Sequence, residues 1–196
     1  IDDVRFITNA SSGRMGLACA AAAAAAGHQV TLLAGPAVPD GPAGVETVRF
    51  ISVADLKAAL EEHFPAADAL LMAAAVGDFT LEPRAPGKLG RANGPVCVTL
   101  VPTEDLLAGV AARRRAGQVL VAFAVEPGRD EVKARRELAA KGCDYVVLNP
   151  PAAMAAEQSE ACILAPDRTV LPWARRPKAD LAAEIVRLVE FGGHPT

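Results

Sequence analysis

The residues best suited to chemistry lie in one short segment near the start of the chain, Asn9-Ala10-Ser11-Ser12-Gly13-Arg14-Met15-Gly16. The segment offers a carboxamide, two hydroxyl groups and two glycines, and it runs into an alanine-rich stretch that favours a helix. Amide N–H groups at a helix N-terminus attract anions. Because an apolar, extended stretch at residues 4–8 precedes it, the pattern predicts a strand, a loop and a helix that hold a nucleotide or a phosphate. The alternative is a tight turn capped by Ser11 or Ser12.

Two further groups of residues are candidates for the same site. In an open α/β sheet, ligands bind beyond the carboxyl ends of the strands. Segments 73–79 and 123–126 end two apolar runs, and the first contains Asp78 after a series of small residues. Small residues let a base or a ribose approach the backbone, although Asp78 is equally explained as an N-cap or turn residue. Lys88, further along, is a candidate for neutralising phosphate charge or a solvated surface lysine.

The hydrophobic pattern predicts the elements that must position these residues. Continuous apolar runs of this length are typical of strands covered on both faces, and they occur at residues 29–33, 69–74, 119–124 and 145–148. Helical stretches alternate with them, at residues 16–26, 53–63, 104–115, 130–141 and 179–191. We therefore predict an α/β fold with a Rossmann-like, doubly wound and mostly parallel sheet.

Two stretches interrupt the alternation. Residues 79–101 are rich in proline and glycine, which excludes a regular helix, and are predicted to form a projecting β-arm. Its last part, residues 96–101, is predicted to be a strand. Residues 161–173 are predicted to form a second hairpin, and residues 35–44 a loop.

The composition narrows the class of protein. The 196 residues are predicted to form one domain, and a net charge of -3 with 4% aromatic residues argues against nucleic-acid binding. No apolar run reaches the roughly 18 residues that span a membrane, and a cytoplasmic location is expected. The four cysteines each lie in an apolar stretch and form no C-x-x-C pair, so burial and a reduced state are predicted for Cys19, Cys97, Cys143 and Cys162.

Motifs that the chain lacks narrow the choice of nucleotide. A dinucleotide site normally has the pattern G-x-G-x-x-G and an acidic residue about 20 positions later. Here only Gly13 and Gly16 are present, and the apolar run at residues 29–33 ends without an acidic residue. The sequence contains no Gly-Lys-Ser or Gly-Lys-Thr, so NAD binding and P-loop chemistry are both disfavoured.

In their order and spacing, these motifs resemble phosphopantothenoylcysteine synthetase, the ligase of coenzyme A biosynthesis, over nearly all of the chain. The resemblance rests on residues 3–16, 73–79, 123–126, Lys88, and Lys141-Gly142 followed by Asp144 and Asn149. In bacteria this family is commonly the C-terminal half of a protein with a flavin-dependent decarboxylase. The resemblance implies one synthetase domain over residues 1–196, with an arm at about 79–101 and a first family strand upstream that this sequence lacks.

The resemblance implies a reaction in two steps. The carboxylate of 4′-phosphopantothenate attacks the α-phosphorus of CTP and releases pyrophosphate. The amine of L-cysteine then attacks the acyl-cytidylate and expels CMP. The implied catalytic residues are Arg5, Asn9 and Lys88. Arg5 and Asn9 would contact the acyl-cytidylate, Asn9 by donating a hydrogen bond to its carbonyl oxygen, and Lys88 would neutralise the developing phosphate charge.

The resemblance also implies a nucleotide site and partners. The residues implied to bind the nucleotide are Ser11, Ser12, Gly13, Ala74, Ala75, Asp78, Phe79, Glu104, Asp105, Leu106, Leu107, Phe123 and Lys141. Mg²⁺ accompanies CTP in the family, and Asp78 is its candidate ligand. FMN is expected only if a decarboxylase domain precedes this chain, fused or associated. A homodimer is implied, with arms that cross between subunits.

The chain departs from the family pattern at several charged positions. The arm motif, normally Lys-x-Lys-Lys, reads Lys88-Leu89-Gly90-Arg91, and Glu137 stands where a nucleotide-binding lysine is expected. We therefore expect a weakened affinity for triphosphate unless Arg136 substitutes for that lysine. Two alternatives stay open, an NAD(P)-binding oxidoreductase domain and a degenerate nucleotide-binding interaction domain, and CTP is not distinguished from ATP.

Overall fold

The computed structural model describes residues 1–82, 85–91, 94–151 and 158–192. Its helices are α1 (Arg14–Ala25), α2 (Val53–His63), α3 (Leu106–Ala111), α4 (Glu131–Lys141) and α5 (Lys178–Gly192). Its strands are β1 (Thr31–Ala34), β2 (Glu46–Arg49), β3 (Ala69–Met72), β4 (Phe79–Leu81), β5 (Leu100–Pro102), β6 (Val119–Val125), β7 (Tyr145–Asn149), β8 (Gln158–Leu164) and β9 (Thr169–Pro177).

The largest sheet has the strand order β3-β6-β7-β8-β9. The pairs β3–β6 and β6–β7 are parallel, whereas β7–β8 and β8–β9 are antiparallel. The β8–β9 pair is the hairpin predicted near the C-terminus. Helices cover both faces of this sheet, so the predicted Rossmann-like α/β fold is confirmed.

The continuous apolar character of the strands is explained by two cores, one on each face of the sheet. On one face, α2, α3 and α4 contribute Leu60, Leu107 and Leu138, among others. On the other face, α1 and α5 contribute Cys19 and Ile185, among others. A strand buried on both sides carries apolar residues at successive positions, because neither face meets water.

Strands β1 and β2 form a separate parallel pair. Among the described residues, β1 and β3 do not pair with each other, and a cavity of about 1570 Å³ is lined by residues of both strands. The further strand that the resemblance places before residue 1 stays a prediction.

Several predicted elements differ from the observed ones. Residues 4–8 do not form a strand, and this prediction is wrong: within the described residues they pair with no strand, and Val4, Phe6 and Ile7 are each more than half exposed. The strand predicted at residues 96–101 is restricted to Leu100–Pro102. The helix predicted at residues 104–115 is restricted to Leu106–Ala111, because Asp105 caps it by accepting from the Ala108 N–H at 3.0 Å.

The arm begins as an antiparallel pair of β4 and β5. The Glu82 N–H continues the pair by donating to the Thr99 carbonyl at 3.2 Å. Of the arm, residues 83–84 and 92–93 lie outside the described residues. Four apolar side chains of the arm are well exposed: Phe79, Val96, Val98 and Leu100.

All four cysteines are free thiols, as predicted. Burial raises the pKa of Cys19 and Cys162 to about 12 and that of Cys143 to about 11. The prediction that all four are buried is wrong for Cys97, which is exposed. Within the described ranges, none of the helices has the length and apolar character needed to cross a membrane.

Candidate functional site

The loop before α1 depends on Gly13, which is the N-cap residue of the helix. Its backbone has φ +68°, a left-handed conformation that favours glycine. A Cβ added to Gly13 would lie 2.4 Å from Val38 Cγ2, so the position also lacks space for a side chain. The alternative in which Ser11 or Ser12 is the cap residue of the helix is wrong, because the N-cap residue is Gly13. Both serines are half-buried in the loop.

Asn9 fastens this loop to the segment that follows β3. Its Nδ2 donates to the Ala75 carbonyl at 3.0 Å and to the Val76 carbonyl at 3.3 Å. Both hydrogens of the carboxamide nitrogen are therefore in use, and Oδ1 is the atom left to accept a hydrogen bond. The role implied by the resemblance, donation to an acyl carbonyl, competes with these two contacts.

The segment after β3 presents the small residues singled out in the sequence. Ala74, Ala75, Asp78 and Phe79 are exposed. Thr103 holds the backbone here: its Oγ1 donates to the Gly77 carbonyl at 2.6 Å, and its N–H donates to the Asp78 carbonyl at 2.9 Å. These contacts bring the start of α3 beside the segment after β3.

The charged residues around α3 are already paired. Glu104 accepts from Lys57 Nζ at 2.6 Å, which raises the pKa of Lys57. Asp105 lies 3.1 Å from Lys141 Nζ. Partial burial acts to raise the pKa of Asp105, but the Ala108 N–H and Lys141 outweigh it and lower that pKa.

Leu106 and Leu107 are buried in the core, with exposed fractions of 5% and 8%. Their side chains do not face solvent, so only their backbone is left to meet a nucleotide. Phe123, near the end of β6, is half-buried and packs against the core under α1 and α5. Since Met72 is in register with Ala122, Phe123 lies beside the first residue after β3.

A second contact joins Asp2 and Arg5, near the N-terminus, to the segment that contains Lys88. Arg5 Nη2 donates to the Leu89 carbonyl at 2.9 Å, and Asp2 Oδ2 accepts from the Leu89 N–H at 3.1 Å. On the other side of Lys88, the Gly87 carbonyl accepts from the Asp3 N–H at 3.4 Å, and Lys88 itself is exposed. The residues on both sides of Lys88 are thus held close to Arg5.

Half of the residues predicted for the site line the cavity between β1 and β3. It is lined by Arg5, Asn9, Ser11, Gly13, Ala74, Ala75, Asp78 and Phe79. It is not lined by the other predicted residues, which are Ser12, Lys88, Glu104, Asp105, Leu106, Leu107, Phe123 and Lys141. The structure therefore assembles the N-terminal loop with the segment after β3, and keeps the α3 residues in a neighbouring charged cluster.

Three residues that position the site were not singled out in the sequence. Val38 fills the space above Gly13, Thr103 fixes the segment after β3, and Asp2 joins Arg5 to the Lys88 segment. Val38 and Thr103 act through contacts distant in sequence. Asp2 and Arg5 are three residues apart, a spacing that in a loop carries no distinctive signal.

A bound metal ion would have few protein ligands here. Across the described ranges, there is no group of three or more His, Cys, Asp or Glu side chains that could hold a metal ion. Mg²⁺ is commonly held by one or two carboxylates together with substrate phosphates. Asp78 is exposed and lines the cavity. It fits a Mg²⁺ site made of a carboxylate and substrate phosphates, and not a site made of protein ligands alone.

Comparison with known proteins gives relatives over nearly the whole chain. A protein named coenzyme A biosynthesis bifunctional protein CoaBC, from Mycobacterium bovis, is 40% identical over 95% of this chain and 48% of its own length. A cysteine/cysteine sulfinic acid decarboxylase from an unknown prokaryotic organism is 36% identical over 96% of this chain and 54% of its own length. The chain spans about half the length of these curated relatives.

A solved structure has the same fold. The crystal structure of the C-terminal domain of a CoaBC protein matches with a TM-score of 0.76 and 29% identity, over 98% of this chain and 88% of that one. The fold of this chain is therefore that of a known domain.

The family identification made from the sequence requires a correction. The assignment to phosphopantothenoylcysteine synthetase, as the synthetase domain of the bifunctional protein, is wrong as a statement of family. The family model that matches is broader, and the relatives include a decarboxylase as well as CoaBC proteins. Since that model matches residues 1–191, the chain belongs to the family described as the DNA/pantothenate metabolism flavoprotein C-terminal domain.

Proposed function

We propose that this chain acts in coenzyme A biosynthesis as a ligase that joins 4′-phosphopantothenate to L-cysteine. The observation that carries the proposal is that the N-terminal residues bind both candidate segments: Asn9 bonds to Ala75 after β3, and Arg5 bonds to Leu89 beside Lys88. The CoaBC relatives, which match 95% and 98% of the chain, support this reaction.

The chemistry requires that two anions approach each other, a carboxylate and a nucleotide phosphate. Arg5 carries a charge that the Asp2 carboxylate balances, since the two side chains form an ion pair. Lys88 adds a further positive charge on an exposed segment beside them. We propose that its ammonium group offsets the charge that develops on the phosphate as the carboxylate attacks the α-phosphorus of CTP and pyrophosphate leaves.

Asn9 is proposed to contribute to the second step. The L-cysteine amine attacks the carbonyl of the acyl-cytidylate, loses a proton and displaces CMP, and negative charge builds on the carbonyl oxygen. We propose that Asn9 exchanges its longer hydrogen bond, 3.3 Å to the Val76 carbonyl, for one to that oxygen. The shorter bond to Ala75 keeps the loop in place during the exchange.

The nucleotide is proposed to bind over the N-terminal loop. The turn at Gly13 and the half-buried Ser11 and Ser12 would receive phosphate at the start of α1. The exposed, small Ala74 and Ala75 would let the base approach the backbone. Mg²⁺ bound with the triphosphate would supply charge neutralisation at its oxygens, and Asp78 is the carboxylate proposed to reach it.

A homodimer is proposed from the exposed apolar side chains of the arm. Phe79 is 60% exposed and Val96 53% exposed, and a second copy of the chain would remove such surface from water. Replacement of Val96 by lysine is expected to shift the molecular mass in light scattering from dimer to monomer. A monomeric parent chain would refute the proposed dimer.

An omission experiment tests the ligase. Product formation, followed by mass spectrometry, is expected only when CTP, 4′-phosphopantothenate and L-cysteine are all present, with one pyrophosphate released per product. Replacement of CTP by ATP decides which nucleotide is used. No product in the complete mixture, together with tight NADPH binding by calorimetry, would favour the oxidoreductase alternative.

A further inference from the structure

The Asp2 side chain forms several hydrogen bonds, although the residues that follow it in the chain are exposed. Its side chain is fully buried, with an exposed fraction of 0%. Oδ1 accepts from the Val4 N–H at 2.9 Å and the Arg5 N–H at 2.8 Å. Oδ2 accepts from Arg5 Nε at 3.0 Å, from Arg5 Nη2, and from the Leu89 N–H at 3.1 Å. Both oxygens of this carboxylate are therefore saturated with donors.

The contact partners come from two distant parts of the chain. Val4 and Arg5 are neighbours of Asp2, but Leu89 lies in the arm. Two further bonds join the same segments: Arg5 Nη2 donates to the Leu89 carbonyl at 2.9 Å, and the Asp3 N–H donates to the Gly87 carbonyl at 3.4 Å. The residues before and after Lys88 are both bound, while the Lys88 side chain remains exposed.

We propose that Asp2 is a positioning residue, which holds the Lys88 segment beside Arg5 so that the Lys88 ammonium group is presented at the site. The inference rests on the proposed ligase function, in which Lys88 offsets phosphate charge. Because its side chain is fully buried, Asp2 would act through the backbone of Leu89 and the guanidinium of Arg5.

The charge of Asp2 is suited to this task. The hydrogen bonds from Arg5 first, then those from the Val4 and Leu89 N–H groups, hold the pKa of this carboxyl far below its usual range, against the opposing effect of burial. The carboxylate is thus ionised throughout the neutral range. An asparagine would keep the shape but direct an NH₂ group, itself a donor, at donors on Arg5 or Leu89.

The first test measures the contact without any ligand. In the Asp2→Asn variant, amide hydrogen exchange at Leu89 is expected to accelerate about tenfold or more, because its acceptor is lost. Asp167→Asn is the matched control, since Asp167 is exposed in the turn between β8 and β9. Unchanged exchange at Leu89 in a folded Asp2→Asn protein would overturn the inference.

The second test uses a double-mutant cycle on kcat. Asp2→Asn is expected to lower kcat about tenfold in the parent protein but less than about twofold in the Lys88→Gln background, where the segment has no ammonium group to position. An equal loss in both backgrounds would indicate a general structural role and overturn the inference. If Asp2→Asn does not fold, Leu89→Pro removes the same hydrogen bond from the arm side and takes its place in the double-mutant cycle on kcat.

The two tests also separate this inference from the proposed function. A parent protein that forms no product refutes the ligase, whereas the exchange measurement still decides whether Asp2 holds the arm.

Discussion

Gly13 offers the sharpest test of the loop that precedes α1. The perturbation is Gly13→Ala, a change of one methyl group at the N-cap of the helix. Two separate effects are expected, because the backbone there has φ +68° and an added Cβ would lie 2.4 Å from Val38 Cγ2. The first effect is conformational and the second is a steric overlap.

The conformational effect and the steric overlap each lower the free energy of unfolding. A non-glycine residue in the left-handed region costs about 1–2 kcal/mol. The overlap forces Val38 to move, and overpacking of this kind typically costs about 1–3 kcal/mol. Gly13→Ala is therefore expected to lower the free energy of unfolding by about 2–5 kcal/mol.

The assay is urea unfolding of the single and double variants. Val38→Ala removes the two closest atoms and leaves only Val38 Cβ, 3.2 Å from the added Cβ, so in that background the cost of Gly13→Ala is expected to fall toward about 1–2 kcal/mol. Gly27→Ala is the control, since Gly27 also has a positive φ, +89°, but nothing lies within 4 Å of an added Cβ. An equal cost of Gly13→Ala in both backgrounds would refute the role assigned to Val38.

Three other predictions concern stability and the thiols. Gln118→Ala removes the donors now 2.9 and 2.6 Å from the Phe64 and Ala67 carbonyls, and each carbonyl keeps one other donor, at 3.1 and 3.3 Å. The loss of two hydrogen bonds is expected to cost about 1–3 kcal/mol in urea unfolding, and a loss under about 0.5 kcal/mol would contradict this. A thiol reagent at pH 8 is expected to modify Cys97 alone before unfolding, and fast reaction of a second thiol would contradict the burial described. In the folded state the pKa of each buried thiol is raised from an ordinary value near 9 to about 11 or 12, at Cys19, Cys143 and Cys162. These thiols therefore contribute stability that is present below pH 9 and lost as the pH rises toward 11–12.

The sequence predicts elements well where the structural signal is local. Helix α2 has the bounds expected from the sequence, Val53–His63. The reason is a capping box in which Ser52 accepts from the Asp55 N–H and Asp55 accepts from the Ser52 N–H. The strands of the central sheet were predictable for a similar reason, since burial on both faces makes them apolar without interruption.

Elements that depend on distant partners were less predictable. Residues 4–8 have the composition of a strand, but a strand also requires a neighbour with which to pair. Strand β2 was not predicted, because it is short and half polar, and β1 is what stabilises it.

The same distinction holds within the site. The loop around Gly13 was identified because small residues before a helix form a local pattern. The contact of Asp2 with Leu89, however, joins residues 87 positions apart. Likewise, the burial of Leu106 and Leu107 depends on how α3 packs against the sheet.

The proposed ligase and the role of Lys88 are both tested by the rate of 4′-phosphopantothenoylcysteine formation in the parent chain and in Lys88→Gln. We expect formation by the parent chain, a rate at least about tenfold lower in Lys88→Gln, and no change in Arg187→Gln, which alters an exposed cation on α5. Equal rates in the parent chain and Lys88→Gln would contradict the role of Lys88, and no product from the parent chain would contradict the proposed ligase.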